Sequence, residues 1–463
     1  MMRALSAAHQ LTTHIHTHKG VTVNLSRRTK VVAAVAGAAS FALLAAGCSS
    51  SGGGSTSTSN PVTLTVTTFG TMGFDKLYAQ YEKANPGITI KATNIDTGDH
   101  ALTDWQTKQA AGAGLPDVQA VEEGWLSKVM QVSDQFNDLT KYGANDIKSR
   151  WVDWKLAQAT DKNGHIIGYG TDIGPEGLCY NSKLFAAAGL PSDRAAVATL
   201  FGGASATWAD FFKVGEEYKA KTGKAFYDQS DFIWNAMVNQ QPEGYYTKDG
   251  KLNIVGNTTL QGLWAELAAG AKAGLSSNQT MWDWGKGKAF TDGSFATFVC
   301  PGWMLGVVQG QVKAGGGDAT TGWDFANVFP GGSANWGGSF LTVPTQSKHP
   351  KEAAALAAWL TTATSQVQTF QAAGTFPSVT AAQSDPGVTG PSDLTKFFNN
   401  APVGQILAER AKGVVAQYKG PDDSIIQSQV FQPSVQSLDS GKRTGDQAWA
   451  DAMTLLNQLV VNK

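Results

Sequence analysis

The sequence predicts an α/β protein, because short apolar strands alternate with amphipathic helices along the chain. The stretch VTLTVTTF, residues 62–69, alternates β-branched or apolar residues with threonine, as strands do. Leu77, Tyr78 and Tyr81 then share one face of a helix, which a turn at 85–87 ends before ITIKAT begins a second strand. This order is typical of a parallel or mostly parallel sheet that helices cover on both faces.

The alternation continues into the second half of the chain. A helix through Trp105 and Lys108 precedes DVQAV, which has the composition of a buried strand. EGLCYNSKLFAAAGLP predicts a strand and a short helix, and SFATFVCPGWM predicts another buried strand. Pro350 begins a helix whose apolar face extends to Phe370. We therefore expect strands and helices to alternate in both halves of the chain, without a solenoid repeat.

The N-terminal region has the layout of a secretory signal peptide. Arg27, Arg28 and Lys30 precede an uncharged run of small and apolar residues, 31–47, which is too short for a membrane span of about 20 apolar residues. Ala45-Ala46-Gly47-Cys48 resembles a bacterial lipobox, in which signal cleavage leaves the cysteine as a lipid-modified N-terminus. We therefore expect residues 1–47 to be a signal peptide with a lipobox and Cys48 to be the lipidation site. A soluble exported protein cut nearby is the alternative.

Residues 48–60 are rich in serine, glycine and threonine, which predicts a flexible tether. A diacyl pair together with an N-terminal acyl chain at Cys48 would hold the protein firmly at the outer face of the cytoplasmic membrane. SRRTK, residues 26–30, resembles a twin-arginine signal but departs from it at Lys30, so the export route stays open.

Composition excludes several classes of function. Removal of residues 1–47 takes away five of the 36 basic residues and none of the 37 acidic ones, which leaves a net charge of −6 and no reason to expect nucleic acid as a partner. Three histidines and two distant cysteines remain besides the lipid site, so no zinc site can be assembled by spacing. We expect no metal and no cofactor. Most of the 14 Trp, 10 Tyr and 21 Phe will lie in the core, but a few are available for a binding surface.

Six motifs follow one another along the chain after the tether. They are PDVQAVEEGWL, LCYNSKLFAAAGLP, TWADFFKVGEEY, CPGWM, WGGSFLTVPTQSKHPKEAAALAAWLTT and GTFPS. In this order they resemble the motifs of extracellular solute-binding proteins of bacterial carbohydrate ABC transporters, of the maltose-binding-protein type. The resemblance implies an α/β, two-lobed, periplasmic-binding-protein-like fold (type II), with the ligand cleft between lobes that three crossing segments join.

The resemblance also implies where the lobes divide. The N-terminal lobe would comprise residues 61–170 and 333–375, and the C-terminal lobe residues 171–332 and 376–463. The crossings would lie near residues 171–177, 328–332 and 376–378.

A cleft of this kind suits a sugar, because aromatic faces stack on the C–H faces of a ring while carboxylates, amides and backbone groups pair with its hydroxyls. The resemblance implies a neutral sugar or oligosaccharide as the ligand and ABC permease subunits as the partner of a monomer. The ligand-binding candidates are Phe69, Gly70, Thr71, Glu122, Glu123, Asp172, Trp234, Asn235, Trp282, Trp303, Trp336, Gly337, Gly338 and Phe376.

An exported carbohydrate-active enzyme is the main alternative, and a binding protein for a non-sugar neutral solute is another. A glycosidase needs an acid and a base or nucleophile about 5 to 10 Å apart. Glu122 and Glu123 are adjacent and on a strand would point to opposite sides. The sequence has none of the G-x-S-x-G, H-E-x-x-H, Walker A or G-x-G-x-x-G motifs. We therefore expect a binding protein without catalytic residues; the identity and length of the sugar stay open.

The resemblance places Cys179 and Cys300 on strands of the same lobe. The compartment outside the cell is oxidising, and the third thiol is the lipidation site. We therefore expect a disulfide between Cys179 and Cys300.

Overall fold

The computed structural model describes residues 61–415 and 417–462, whose strands form two β-sheets. The predicted signal peptide, the lipidation site at Cys48 and the tether lie outside the described residues. The strands are β1 (Val62–Phe69), β2 (Ile88–Ile95), β3 (Val118–Glu122), β4 (Gly168–Gly170), β5 (Glu176–Asn181), β6 (Thr297–Pro301), β7 (Trp323–Ala326) and β8 (Ser339–Thr342). The first sheet has the order β2-β1-β3-β8-β4 and the second the order β6-β5-β7.

Helices flank both sheets. They are α1 (Asp75–Ala84), α2 (Gly98–Ala110), α3 (Glu123–Gln131), α4 (Ala144–Ile147), α5 (Asp153–Gln158), α6 (Ser182–Ala187), α7 (Arg194–Leu200), α8 (Trp208–Thr222), α9 (Ser230–Asn239), α10 (Thr258–Lys272), α11 (Met304–Ala314), α12 (Pro350–Leu360), α13 (Ala363–Ala373), α14 (Thr380–Gln383), α15 (Pro386–Thr389), α16 (Asp393–Phe397), α17 (Val403–Ala411), α18 (Asp423–Ile425), α19 (Gln432–Asp439) and α20 (Gly445–Leu456). A π-helical turn, Ile426–Phe431, joins α18 to α19. Within the described ranges, none of these helices combines the length and apolar character needed to cross a bilayer.

Strand direction differs between the sheets. β1 pairs in parallel with β2 and β3, so Phe69, Ile95 and Glu122 end their strands along the same edge of the first sheet. β8 runs antiparallel to β3 and β4, and β5 runs antiparallel to both β6 and β7. The expectation of mostly parallel pairing is therefore wrong for the second sheet and holds for only two of the four strand pairs of the first, because alternation of strands and helices does not fix the direction in which a strand returns.

Each sheet has its own hydrophobic core. Leu64 and Val66 belong to a cluster on one side of the first sheet, and Trp125 and Phe340 belong to another. A larger cluster surrounds the second sheet and includes Tyr180. The molecule is thus two-lobed, and the exact lobe boundaries given above remain predictions.

The helix expected from Pro350 to Phe370 is two helices in the structure. α12 ends at Leu360, and α13 begins after Thr362, whose side chain accepts a hydrogen bond from the Ser365 amide at 3.2 Å. The preceding Thr361 hydroxyl turns back to the Ala357 carbonyl at 2.8 Å. Two hydroxyl side chains that compete for backbone groups interrupt an otherwise continuous apolar face.

The structure forms the expected disulfide between Cys179 of β5 and Cys300 of β6. Their Cα atoms are 5.7 Å apart, and both residues are fully buried. Gly177 faces Cys300 across the antiparallel pair, so the two cysteines are diagonal neighbours. The bond therefore ties together two strands that are 121 residues apart in sequence.

Candidate ligand-binding cleft

Three chain segments run side by side where the two sheets meet. Asp172 of the first crossing forms a bridge with Pro377, and Trp336 donates its backbone N–H to the Gly174 carbonyl at 2.9 Å. The second crossing therefore pairs through residues 334–336, later than the expected 328–332. Gly174 makes this approach possible, since a Cβ there would lie 1.9 Å from the Trp336 carbonyl oxygen.

A cleft of about 680 Å³ opens beside these crossings and takes residues from both lobes. This volume is in the range of small-molecule sites. The predicted residues on its lining are Phe69, Gly70, Thr71, Glu122, Glu123, Asp172, Asn235, Trp282, Trp303, Trp336, Gly337 and Gly338. Their part in ligand binding stays a prediction.

The strand ends of the first lobe supply one wall. Glu122 ends β3 and caps α3, because its Oε2 accepts the Gly124 amide at 2.8 Å. Glu123 begins α3, so the two carboxyls do not point to opposite sides of a strand as expected; both face the cleft. Burial, with a smaller contribution from the charge of Glu123, raises the pKa of Glu122 to about 8.

A buried lysine lies behind this wall. The Lys155 ammonium is 3.7 Å from the centre of the Phe340 ring and has no hydrogen-bond partner among the described residues. Burial lowers its pKa to about 8, although Asp172, Glu123 and Glu122 favour the charged form. Asp172 in turn accepts the Ser339 amide at 2.9 Å. Lys155 thus lies close enough to Asp172, Glu123 and Glu122 to offset part of their negative charge.

Three tryptophans, Trp282, Trp303 and Trp336, form what we call the aromatic wall. Trp303 donates its indole N–H to the Trp336 carbonyl at 2.8 Å, and the two rings lie 5.3 Å apart at 78°. Trp282 is 43% exposed and lies 6.2 Å from Trp303, on a left-handed backbone with φ +65°. Phe232 supports Trp336 from behind, with ring centres 4.8 Å apart. The three indoles therefore contact one another in series at the surface of the cleft.

Polar side chains of the second lobe line the other end of the cleft, and sequence reasoning missed most of them. Helix α9 presents Asp231, Asn235 and Asn239, which are spaced by four residues and share one face. Polar residues at four-residue intervals on an otherwise apolar helix are the sequence feature that could have identified these lining residues. The segment containing α18 and the π-helical turn adds Asp423, Ser424, Gln427 and Ser428.

We call the group formed by Glu123, Asp231 and Asp423 the acidic end of the cleft. Burial raises the pKa of both Asp231 and Asp423 to about 7. The nearby Tyr245 hydroxyl donates to Gln427 at 2.6 Å and also lines the cleft. This end therefore offers closely spaced acceptors and donors for polar groups of a ligand.

Two predicted ligand residues are core residues instead. Trp234 is fully buried, and its indole N–H donates to the Tyr245 hydroxyl at 2.9 Å, behind the cleft. On α9 it precedes Asn235 by one position, which turns its side chain about 100° away. Phe376 is also fully buried, 6.1 Å from the Phe370 ring. Its crossing approaches the cleft, but its side chain points into the core of the second lobe.

The part of the chain that the structure describes contains no group of three or more histidine, cysteine or acidic residues able to hold a metal ion. The chemistry that the lining supplies is aromatic faces, carboxyls, amides and hydroxyls. Such a set binds a polar organic molecule by stacking and hydrogen bonding.

Comparison with known proteins places the chain in a family. The family model for bacterial extracellular solute-binding proteins matches residues 76–396. A crystal structure of an extracellular solute-binding protein of family 1 is 42% identical, with a TM-score of 0.77, and the match covers 86% of this chain and 99% of that one.

Two curated relatives match shorter parts of the chain. The arabinooligosaccharide-binding protein of Bacillus subtilis (strain 168) is 30% identical over 33% of this chain and 34% of its own length. The lactose-binding protein of Rhizobium radiobacter is 27% identical over 59% of this chain and 63% of its own length. The chain thus spans about a third and just under two thirds of these relatives. From the family model and the crystal structure together, the chain belongs to the bacterial extracellular solute-binding proteins.

Proposed function

We propose that this protein captures a neutral sugar or oligosaccharide outside the cell and delivers it to the permease of an ABC importer. The observation that carries the proposal is the aromatic wall, which faces carboxyl and amide groups across one cleft. Indole faces suit the C–H surface of a sugar ring, and the polar groups suit its hydroxyls. Two relatives named for binding a lactose and an arabinooligosaccharide support the same ligand class.

Lobe closure is the proposed means of delivery. The three crossings are joined by backbone hydrogen bonds, such as that from the Ile173 amide to the Phe376 carbonyl at 2.9 Å, so they form one narrow connection. A short connection between two lobes with separate cores favours rotation about it. A ligand that contacts both walls would stabilise the closed arrangement, which the permease would recognise.

We expect a thermal-shift screen of neutral mono-, di- and oligosaccharides to identify a stabilising ligand. A ligand at about 100 times its Kd adds about 2.7 kcal/mol to the folded state, which corresponds to a rise of roughly 3 °C in melting temperature for a chain of about 400 residues that unfolds as one unit. The same mixtures are then assayed for new reducing ends. Stabilisation without reducing ends supports binding, whereas accumulation of reducing ends would show the carbohydrate-active enzyme instead.

Membership of an extracellular family supports export, and we propose that Cys48 carries the lipid that retains the protein at the outer face of the membrane. Cys48→Ser is expected to release the protein into the medium or leave its signal uncleaved, because the thiol that receives the lipid is gone. Cell fractionation with an antibody measures this, and Ser49→Ala serves as the matched control that stays anchored. Complete membrane retention of correctly processed Cys48→Ser protein would contradict the proposal.

A further inference from the structure

The lining of the cleft carries a large excess of acidic groups. Among the described residues that line it, eight have carboxyl side chains and one, Lys419, has an ammonium group. That ammonium already donates to Asn239 at 2.5 Å and to Gln417 at 2.9 Å. A ligand that enters the cleft therefore meets mainly acidic side chains.

The acidic end brings carboxyls of both lobes together. Helix α18 contacts α3, and Glu123 of the first lobe lies close enough to Asp423 of the second for its charge to raise the pKa of Asp423. Burial raises the pKa of the Tyr245 hydroxyl, and the charges of Asp423 and Asp231 raise it further. Three carboxyls thus approach the same end of the cleft from different helices.

Within the acidic end, Asp231 has a buried carboxyl oxygen that lacks a hydrogen-bond partner in the described part of the chain. Its side chain is 5% exposed, and Oδ1 has no hydrogen-bond partner among the described residues. Burial raises the pKa of Asp231, and the charge of Asp439 of α19 raises it further. A buried acceptor without a partner is destabilising until a donor reaches it. A hydroxyl or ammonium group of a ligand can donate, whereas a carboxylate or phosphate cannot.

A carboxyl lies beside the aromatic wall as well. A Cβ placed on Gly337 would be 3.1 Å from the Trp303 indole nitrogen and 3.6 Å from Glu122 Oε1, so Glu122 lies next to the aromatic wall. An anionic group on a ligand would therefore meet a protein carboxyl beside the aromatic wall as well as at the acidic end. Like charges held close together in an interface disfavour binding strongly.

We infer that the cleft selects its ligand by charge: it accepts neutral or basic sugars and rejects sugars that carry a carboxylate or a phosphate, with Asp231 as a specificity-determining residue. This inference rests on the proposed function, since it concerns the ligand of the same cleft.

Isothermal titration calorimetry at pH 8 tests this inference. Burial raises the pKa of Asp231 and of Asp423 to about 7, so both carboxyls are mostly ionised at pH 8. The probes are the best neutral sugar from the screen and its C6-oxidised uronate. We expect the wild-type protein to bind the uronate about tenfold or more weakly than the neutral sugar. Asp231→Asn keeps the shape of the side chain but removes its charge, so the ratio of the two affinities should fall severalfold.

Asp75→Asn is the matched control, because Asp75 also occupies the first turn of a ten-residue helix but lies on the exposed surface of α1. It should leave the ratio unchanged. If Asp231→Asn does not fold, Asp423→Asn provides the same comparison. Equal or tighter binding of the uronate by the wild-type protein, or an unchanged ratio in the charge variant, overturns the inference while sugar binding stands. Absence of binding by every neutral sugar overturns the proposed function, and this inference with it.

Discussion

Replacement of Trp303 or Trp336 by alanine is expected to weaken sugar binding by about 30- to 1,000-fold. Truncation of a buried aromatic anchor typically costs about 2 to 4 kcal/mol of binding free energy. Both indoles lie at the cleft surface, and the removal of either one would leave a gap that water would fill. Because neither ring is fully buried, the free energy of unfolding should fall less than the roughly 3 to 5 kcal/mol expected for a core tryptophan.

The measurement pairs a sugar titration with the melting temperature of the unliganded protein. Trp359→Ala is the control, since this half-buried indole packs on Tyr81 at 5.3 Å, away from the cleft. It should lower the melting temperature and leave affinity unchanged. Unchanged affinity together with a large drop in melting temperature for Trp303→Ala and Trp336→Ala would mean that both are core residues and that the proposed site is misplaced.

Loss of the disulfide is expected to have the largest effect on stability. The bond closes a loop of 121 residues, and removal of a native disulfide typically lowers the free energy of unfolding by about 2 to 5 kcal/mol. Cys179→Ala combined with Cys300→Ala avoids introducing a polar group among fully buried neighbours. Denaturant titration of this double variant should show the loss.

Reductant provides the control. Dithiothreitol present during unfolding should destabilise the wild-type protein and leave the double variant unchanged. Mass spectrometry after alkylation of unreduced, unfolded protein checks the bond itself. Alkylation of both cysteines there would show two free thiols and contradict the account.

The first lobe was largely predictable because its strands have clear periodicity. The alternation in residues 62–69 and the apolar run before Glu122 fixed where strands end, and strand ends are where parallel sheets place their binding loops. Trp303 and Trp336 were predicted as ligand-binding residues because they lie in motifs that resemble those of the solute-binding family. What periodicity could not give was the direction of the strands in the second sheet, because pairing depends on contacts distant in sequence.

The second-lobe side of the cleft was harder to predict for two local reasons. On the apolar helix α9, only the direction in which each side chain packs decides that Trp234 lies in the core while Asp231 lines the cleft. In the C-terminal segment, Pro433 lacks an N–H for a regular helix, and a π-helical turn precedes it. Gln427 and Ser428 of that turn line the cleft, and the 3.6-residue period of a regular helix does not describe a π-helical turn.

The central claim is that the cleft binds a neutral sugar without transforming it. Isothermal titration of the purified protein, residues 48–463, with the sugar selected by the thermal-shift screen tests this most directly. We expect saturable one-to-one binding, with unaltered sugar recovered after the titration. Failure of every neutral sugar to bind, or recovery of cleaved sugar, would contradict it.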